Sequence, residues 1–312
     1  NYLDAKVYYD MGVKRIIAAR EISLKDVQMI KKELPDLEIE IFVHGSMCFA
    51  YSGRCLVSAV QMGRVPNRGS CANDCRFEYT LYAGNEDHGS LFRLEEEEGV
   101  GTYIFNAKDM NLASHVDEIV KSGAVDSIKI EGRTKSPYYA AVTAYAYSMA
   151  LRDSKNDEFV AKKYQDELNT TKNRGFTDAY LIHKPFDKND TQNYEYALSA
   201  GSYEVTGFVL EDQEYFLCKY KVYPNDGIDI EVFAPLGSQI DECDNEYGSI
   251  FKKDDGKYYV TFKKIVTQSE KELESVHSGN VNPIKLPGKL PYMTMLRIKS
   301  EVSSDMESET VN

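Results

Sequence analysis

Four of the chain's six cysteines fall in one polar loop, Cys48, Cys55, Cys71 and Cys75, with the spacing C-x6-C-x15-C-x3-C. A cysteine that serves as a small core hydrophobe sits at periodic apolar positions. These four lie instead among Ser, Gly, Asn, Arg and Asp. A disulfide framework belongs mainly to small exported chains, and six cysteines in 312 residues with no apolar signal segment do not fit one. Shared ligation of a metal centre is the chemistry left. Zinc sites usually draw on pairs from C-x2-C to C-x4-C, and only Cys71 and Cys75 form such a pair. A four-cysteine iron–sulfur site tolerates irregular spacing, because the cluster is a larger body than one ion. The spacing favours a 4Fe-4S cluster and keeps zinc as the alternative.

The elements around the loop must bring it to a defined place. It leaves the apolar strand EIEIFVH, residues 38–44. Upstream, apolar residues recur at helical spacing from Leu3 to Met11, Gly12 stops the helix, and KRIIAA at 14–19 reads as a buried strand. Ser23 caps a helix that ends before Pro35. Residues 77–105, with the acidic run 95–98, read as a hairpin-like excursion with a solvated face. A helix over 109–123, a strand over 126–130, the turn EGRTKS and a long helix over 137–152 follow, with Pro137 in its first turn. A further helix begins at Asp157 and runs to about Lys172. This βα rhythm predicts a parallel sheet with its active positions at the carboxyl ends of the strands.

The texture changes after residue 200. From Tyr203 onward short β-rich runs dominate, with Asp226-Gly227 and Asp255-Gly256 as hairpin turn signals. They predict a small antiparallel β-barrel domain over 201–300, with Cys218 in its core and Cys243 incidental. The tail, 301–312, is polar and reads as disordered.

With these residues in place the chain resembles the collagenase-like peptidase family, peptidase family U thirty-two. Its signature is matched by Glu40, Phe42, Gly45, Ser46, Met47, Cys48, Gly53, Cys55 and Ser58. Within the family the closest likeness is to the prephenate-dependent tRNA uridine hydroxylation proteins. It is carried by EIEIFVHG, AYSGRC, the Cys71 and Cys75 pair, GTYIFNAKDM, IKIEGRTKS and TQNYEYAL. The resemblance spans nearly the whole chain. It implies an α/β fold in which residues 1–200 are the C-terminal part of a TIM-like (β/α) barrel, with the four-cysteine loop at 44–80 binding an iron–sulfur cluster. The barrel's N-terminal strands would then precede Asn1, and the chain is expected to be a fragment. The implied activity is conversion of the wobble uridine of tRNA to 5-hydroxyuridine, with prephenate as co-substrate.

Strand ends that converge in such a barrel would bring Arg20, His44, Glu131 and Arg133 toward the cysteine loop. Glu131, Arg133 and His44 are the catalytic candidates. Glu131 and Arg133 read equally as an ion pair stiffening a turn, and His44 as a structural histidine after an apolar strand. Arg20 and Arg133 present guanidinium forks that suit a carboxylate, and prephenate carries two. Tyr51 and Ser52 lie between two ligands and would orient the thiolates by hydrogen bonds.

The net charge of −13 argues against a nucleic-acid partner when taken globally. Its distribution does not, since residues 1–80 carry a net +1 and the remainder −14. Arg54, Arg64, Arg68 and Arg76 sit in the cysteine loop, and Arg20, Arg54, Arg68 and Arg76 are the candidate substrate-binding residues for tRNA. Proteolysis is the competing reading, with His44 near Cys48 as a dyad. Neither G-x-S-x-G nor H-E-x-x-H occurs. A zinc-stabilised RNA-binding module is the third reading. No apolar run reaches membrane-spanning length, and no targeting pattern opens the chain, so a cytoplasmic, soluble protein is expected.

Overall fold

The structure is a computed structural model that describes residues 1–48, 50–51, 54–77, 79, 82–85, 90–93, 107–133, 135–178, 180–185, 188–193 and 201–300. Expectations for Ser52, Gly53, the acidic run 95–98, most of TQNYEYAL and the tail 301–312 fall outside these residues. The chain is mixed α/β and divides into two compact units. The first comprises Asn1–Lys135, Ala146–Leu168 and Lys172–Ser199; the second comprises Ser136–Tyr145, Asn169–Thr171 and Ala200–Asn312.

In the first unit, helix α1 (Tyr2–Asp10) is capped by the Asn1 side chain, which accepts from Asp4 N. Strand β1 (Arg15–Ile17) follows, then α2 (Leu24–Glu33) with Ser23 as its N-cap, and the long strand β2 (Glu38–Ser46). Helix α3 (Val57–Met62) lies within the cysteine loop, and β3 (Tyr82–Asn85) pairs antiparallel with β4 (Ser90–Arg93) as the expected hairpin. Then come β5 (Asp109–Asn111), α4 (Val116–Lys121), β6 (Ser127–Ile130), α5 (Pro137–Lys155), α6 (Ala161–Leu168), β7 (Phe176–Thr177) and α7 (Lys188–Thr191).

Strand β2 is the seam of this unit. Its first half pairs parallel with β1 and β6, aligning Ile16 with Ile39 and Ile41 with Ile128. Its last residues pair antiparallel with β5, His44 opposite Asn111 and Ser46 opposite Asp109, and β5 in turn pairs parallel with β7. The sheet is therefore mixed. Alternate residues Ile39, Ile41 and Val43 of β2 are buried against helices, as a strand covered on that face requires. Asp126 ties the sheet to α2 by accepting from Ile39 N at 2.8 Å and from Lys31 Nζ at 2.9 Å.

Three local expectations change. Residues 109–111 are strand, because their backbone pairs with β2 and β7, while Asp109 spends its side chain on Arg174 and Asn111 on Gln165 of α6 and on the N–H of Ala113. The strand at 14–19 is not buried, since β1 stands at the sheet edge and Ile17 is 50% exposed. The helix expected over 157–172 contracts to Ala161–Leu168.

The second unit holds an eight-stranded curled antiparallel sheet. Its strands are β8 (Tyr203–Val209), β9 (Tyr215–Cys218), β10 (Ile230–Phe233), β11 (Cys243–Asp244), β12 (Gly248–Lys252), β13 (Tyr258–Phe262), β16 (Ile284–Lys285) and β17 (Met295–Lys299), in the order β11-β12-β13-β10-β17-β8-β9-β16. The short strands β14 (Ile265–Val266) and β15 (Glu272–Leu273) pair beside it. Asp255-Gly256 turns the β12–β13 hairpin, whereas Asp226-Gly227 sits in a longer connection, since β9 and β10 do not pair. One face of the sheet packs Phe216, Cys218, Ile230, Ile250, Val260 and Leu296 into a core, which places Cys218 as expected. On the opposite face, Phe233 and Met295 meet Val142, Tyr138 and Tyr145 of the α5 segment that belongs to this unit. No helix of the described residues is long and apolar enough to cross a membrane.

Candidate metal centre and active site

The cysteine loop starts where β2 ends, and three sets of contacts fix that end. Tyr147, 1% exposed on α5, donates to the carbonyl of Val43 at 2.7 Å and accepts from Leu112 N at 3.1 Å, joining β2 to the residue after β5. Gly45 lies so close to the turn after β6 that an added Cβ would stand 2.4 Å from the Glu131 carbonyl oxygen, and its φ is +117°. Only glycine permits that approach in that conformation. The third is a buried ion pair. Arg174 and Asp109, 4% and 3% exposed, pair directly, and Arg174 also donates to the Ala107 carbonyl and to Ser46 Oγ, both at 3.0 Å. Ser46 stands two residues before Cys48.

The described cysteines are free thiols. Cys48 lies within electrostatic reach of Cys55, Cys71 and Arg20. Desolvation pushes its thiol pKa up, the neighbouring sulfurs add to the rise, and the Ala50 N–H and Arg20 oppose it. Cys71 Sγ accepts from Asn73 N at 3.3 Å and lies 4.0 Å from Ser58 Oγ. Such N–H contacts to sulfur are among the protein's levers on a cluster's potential. Asp74 is 1% exposed, and neither carboxylate oxygen has a hydrogen-bond partner among the described residues. A buried carboxylate in that state calls for a positive group beside it. Soft thiols with a buried carboxylate among them suit an iron–sulfur cluster or a metal ion chemically. Among the described residues, no three His, Cys, Asp or Glu side chains stand at the spacing that holds a single metal ion.

Arg20 stacks over the Phe42 ring with its guanidinium carbon 4.0 Å from the centroid. Burial lowers its pKa, and the nearby charges of Glu131, Cys48 and Glu21 work against that fall. Arg20, Glu131 and Cys48 thus form one neighbourhood. Arg133 does another job: its Nη2 donates to the Gly69 carbonyl at 2.9 Å, and its backbone N–H meets Glu131 Oε1 at 3.4 Å. It fastens the cysteine loop to the turn after β6. Arg54, Arg64 and Arg68 are exposed, and Arg64 Nε donates to Ser70 Oγ at 3.3 Å. The Arg76 side chain lies outside the described residues.

His44 is placed apart from solvent. It is 1% exposed, packed between the rings of Tyr147 and Phe176 at 5.5 and 5.6 Å, with Nδ1 3.4 Å from Tyr147 Oη. Burial, reinforced by the charge of Lys135, lowers its pKa from 6.5 to about 3. The native chain therefore keeps His44 neutral at pH values where the unfolded chain protonates it. That stabilisation is complete above about pH 6.5 and is lost as pH falls toward 3, with about 2 kcal/mol gone by pH 5. Comparing denaturant midpoints of wild type and His44→Gln at pH 7.5 and pH 5 isolates the effect. The variant should lose about 2 kcal/mol less over that interval, and an equal loss would rule out His44 as the source.

Sequence reasoning missed Tyr147, Asp109 and Arg174. The i, i+3, i+4 pattern of α5 marks Tyr147 as inward, but nothing local marks an arginine 128 residues downstream of Ser46 as its partner.

Comparison with known proteins defines the class. Residues 1–191 match the family described as Peptidase family U32. The chain belongs to the Peptidase family U32. It is 53% identical over 302 residues to the tRNA hydroxylation protein P of Helicobacter pylori (strain J99), covering 97% of this chain and 71% of that protein. It is 33% identical over 186 residues to the 23S rRNA 5-hydroxycytidine C2501 synthase of Escherichia coli (strain K12), covering 57% of this chain and 27% of the other. It is 29% identical over 192 residues to the collagenase of Porphyromonas gingivalis (strain W83), covering 57% and 44%. No solved structure matches the chain.

Proposed function

We propose that this chain takes part in RNA hydroxylation, and more narrowly in the prephenate-dependent conversion of a tRNA wobble uridine to 5-hydroxyuridine, with Cys48, Cys55, Cys71 and Cys75 holding a 4Fe-4S cluster. The observation that carries this reading is the thiol loop delivered at the end of β2 beside Arg20 and Glu131. Relatives named for tRNA hydroxylation and for rRNA hydroxycytidine synthesis support the reaction class. A bound cluster would supply electron transfer.

The chain's own residues supply binding and position. Arg20, backed by Phe42, offers a planar fork for a carboxylate such as those of prephenate, with Glu131 beside it to hold the guanidinium in place. Arg133 keeps the loop against the strand end. Residues 54–77 contain four arginines and a single acidic residue, Asp74, which is buried. That basic stretch in an acidic chain is the surface for phosphates, and RNA affinity should fall steeply with added salt. The peptidase reading needs a histidine that can meet substrate, and the packing of His44 inside the unit does not favour it in that role.

The test is deletion of the gene, with 5-hydroxyuridine-derived nucleosides measured in bulk tRNA by mass spectrometry. They should disappear, return with the wild-type gene, and stay absent with Cys48→Ala. Arg20→Ala should lower them tenfold or more. Unchanged nucleosides in the deletion strain would end the tRNA reading. Gelatin cleavage by the purified protein, lost in Cys48→Ala, would favour the peptidase.

A further inference from the structure

The second unit has a face that the cysteine chemistry does not use. The sheet register sets Tyr259 opposite Glu231, Glu231 opposite Arg297, and Lys299 opposite Tyr203, on the side away from the Ile230, Val260 and Leu296 core. This polar, aromatic face floors a cleft of about 760 Å³, walled on one side by Tyr220, Lys221 and Tyr223. That volume is within the range of small-ligand sites and suits one or two nucleotides.

Charge in the cleft is unevenly committed. Glu231 is buried and bound by Arg297 and by Lys257, the latter at 3.0 Å. Asp229 pairs with Lys253 at 2.7 Å, and Asp226 accepts from the N–H of Ile228 at 2.9 Å. Lys221 and Lys299 have no ion-pair partner among the described residues, and Glu204 and Asp226 are the lining carboxylates in the same state. These four charges balance, and the two lysines are the lining groups left to meet a phosphate. The rings are positioned as well: Tyr203 is backed by Arg297, whose guanidinium carbon is 4.5 Å from its centroid, and Tyr259 by Lys253 at 4.1 Å. Tyr220 and Tyr223 are each 40% exposed at the mouth, and Tyr223 is braced edge-on by His277 at 5.8 Å.

Half-exposed rings flanking an unpaired lysine, over a braced floor, are what a base and its phosphate need: stacking contributes about 1–3 kcal/mol per base and tolerates any sequence. A sheet face with aromatic side chains is a recurrent platform for unpaired RNA. We infer that this cleft binds single-stranded RNA, stacking bases on Tyr220 and Tyr223 and taking phosphates on Lys221 and Lys299. It is a contact separate from the cysteine loop, and it stands whether or not the loop hydroxylates uridine.

The test is binding of a fluorescent single-stranded RNA decamer to the full chain, followed by anisotropy at several salt concentrations, with uridine monophosphate as a separate competitor. Tyr220→Ala/Tyr223→Ala should weaken the decamer tenfold or more, while Tyr220→Phe/Tyr223→Phe stays within threefold of wild type. Lys221→Ala/Lys299→Ala should reduce the slope of log affinity against log salt by one to two. Circular dichroism melts of all three variants should match wild type, which separates lost contact from lost fold. Decamer affinity unchanged by the alanine pair at the rings would overturn the inference. So would competition by the mononucleotide at the decamer's own affinity, which would assign the cleft to a free nucleotide. The readout uses no modification activity, so failure here and failure of the hydroxylation reading are told apart.

Discussion

Arg174→Met should destabilise the first unit by about 3–5 kcal/mol, the usual cost of stranding one member of a buried ion pair. Asp109 is 3% exposed, so bulk solvent does not reach it to replace the guanidinium. The same substitution removes the hydrogen bonds to the Ala107 carbonyl and to Ser46 Oγ, so it loosens the strand end that launches the cysteine loop. Iron content after anaerobic reconstitution should fall together with the urea midpoint. A double variant, Asp109→Leu/Arg174→Met, should recover much of the stability, since an apolar pair avoids the uncompensated charge. It should not recover iron content in full, because the Ser46 side chain stays without its Arg174 partner. A single variant that melts within about 1 kcal/mol of wild type would remove the pair from this role.

Gly45→Ala should cost at least about 3 kcal/mol, from a backbone conformation that side chains avoid plus a clash that only movement of the turn after β6 can relieve. The new methyl would meet the Glu131 carbonyl oxygen at 2.4 Å and Glu131 Cβ at 2.9 Å. Gly63 is the internal control. Its φ is +64°, yet nothing lies within 4 Å of an added Cβ, so Gly63→Ala should show only the left-handed penalty of about 1 kcal/mol. Thermal melts of the two variants side by side decide the matter. If Gly45→Ala is no worse than Gly63→Ala, the close approach of β2 to the Glu131 turn is not what holds the site.

Much of the site was legible because its signals are local. Four thiols in one polar loop, Ser23 before LKDVQMIKKEL, and Asp255-Gly256 between two β-runs each carry their meaning within a few residues. The resemblance through EIEIFVHG and AYSGRC anticipated the family. What was illegible is non-local. Asp109 to Asn111 sit at the head of a helical pattern, and pairing with the distant strands β2 and β7 makes them a strand. Arg133 looked like a partner for Glu131 or for substrate, whereas its guanidinium reaches back 64 residues to the Gly69 carbonyl. His44 read as a structural histidine or as a base four residues before Cys48, and the packing that decides between them comes from Tyr147 and Phe176, more than a hundred residues away. Exposure of β1 was likewise set by what pairs with it.

The span of the contacts around β2 also dictates an order of events during synthesis. The ribosome releases Cys48 to Cys75 well before β5 and β6, and both strands well before Arg174. Until residue 174 has emerged, the Ser46 side chain lacks its Arg174 partner, and before β5 and β6 emerge the four thiols hang on a nascent chain without those strand neighbours. Long-range closure of this kind is slow, and free thiols are open to oxidation while it lasts. Any metal or cluster would thereby settle in its final place only after residue 174 has emerged, and the cell has to keep this loop reduced in the interval.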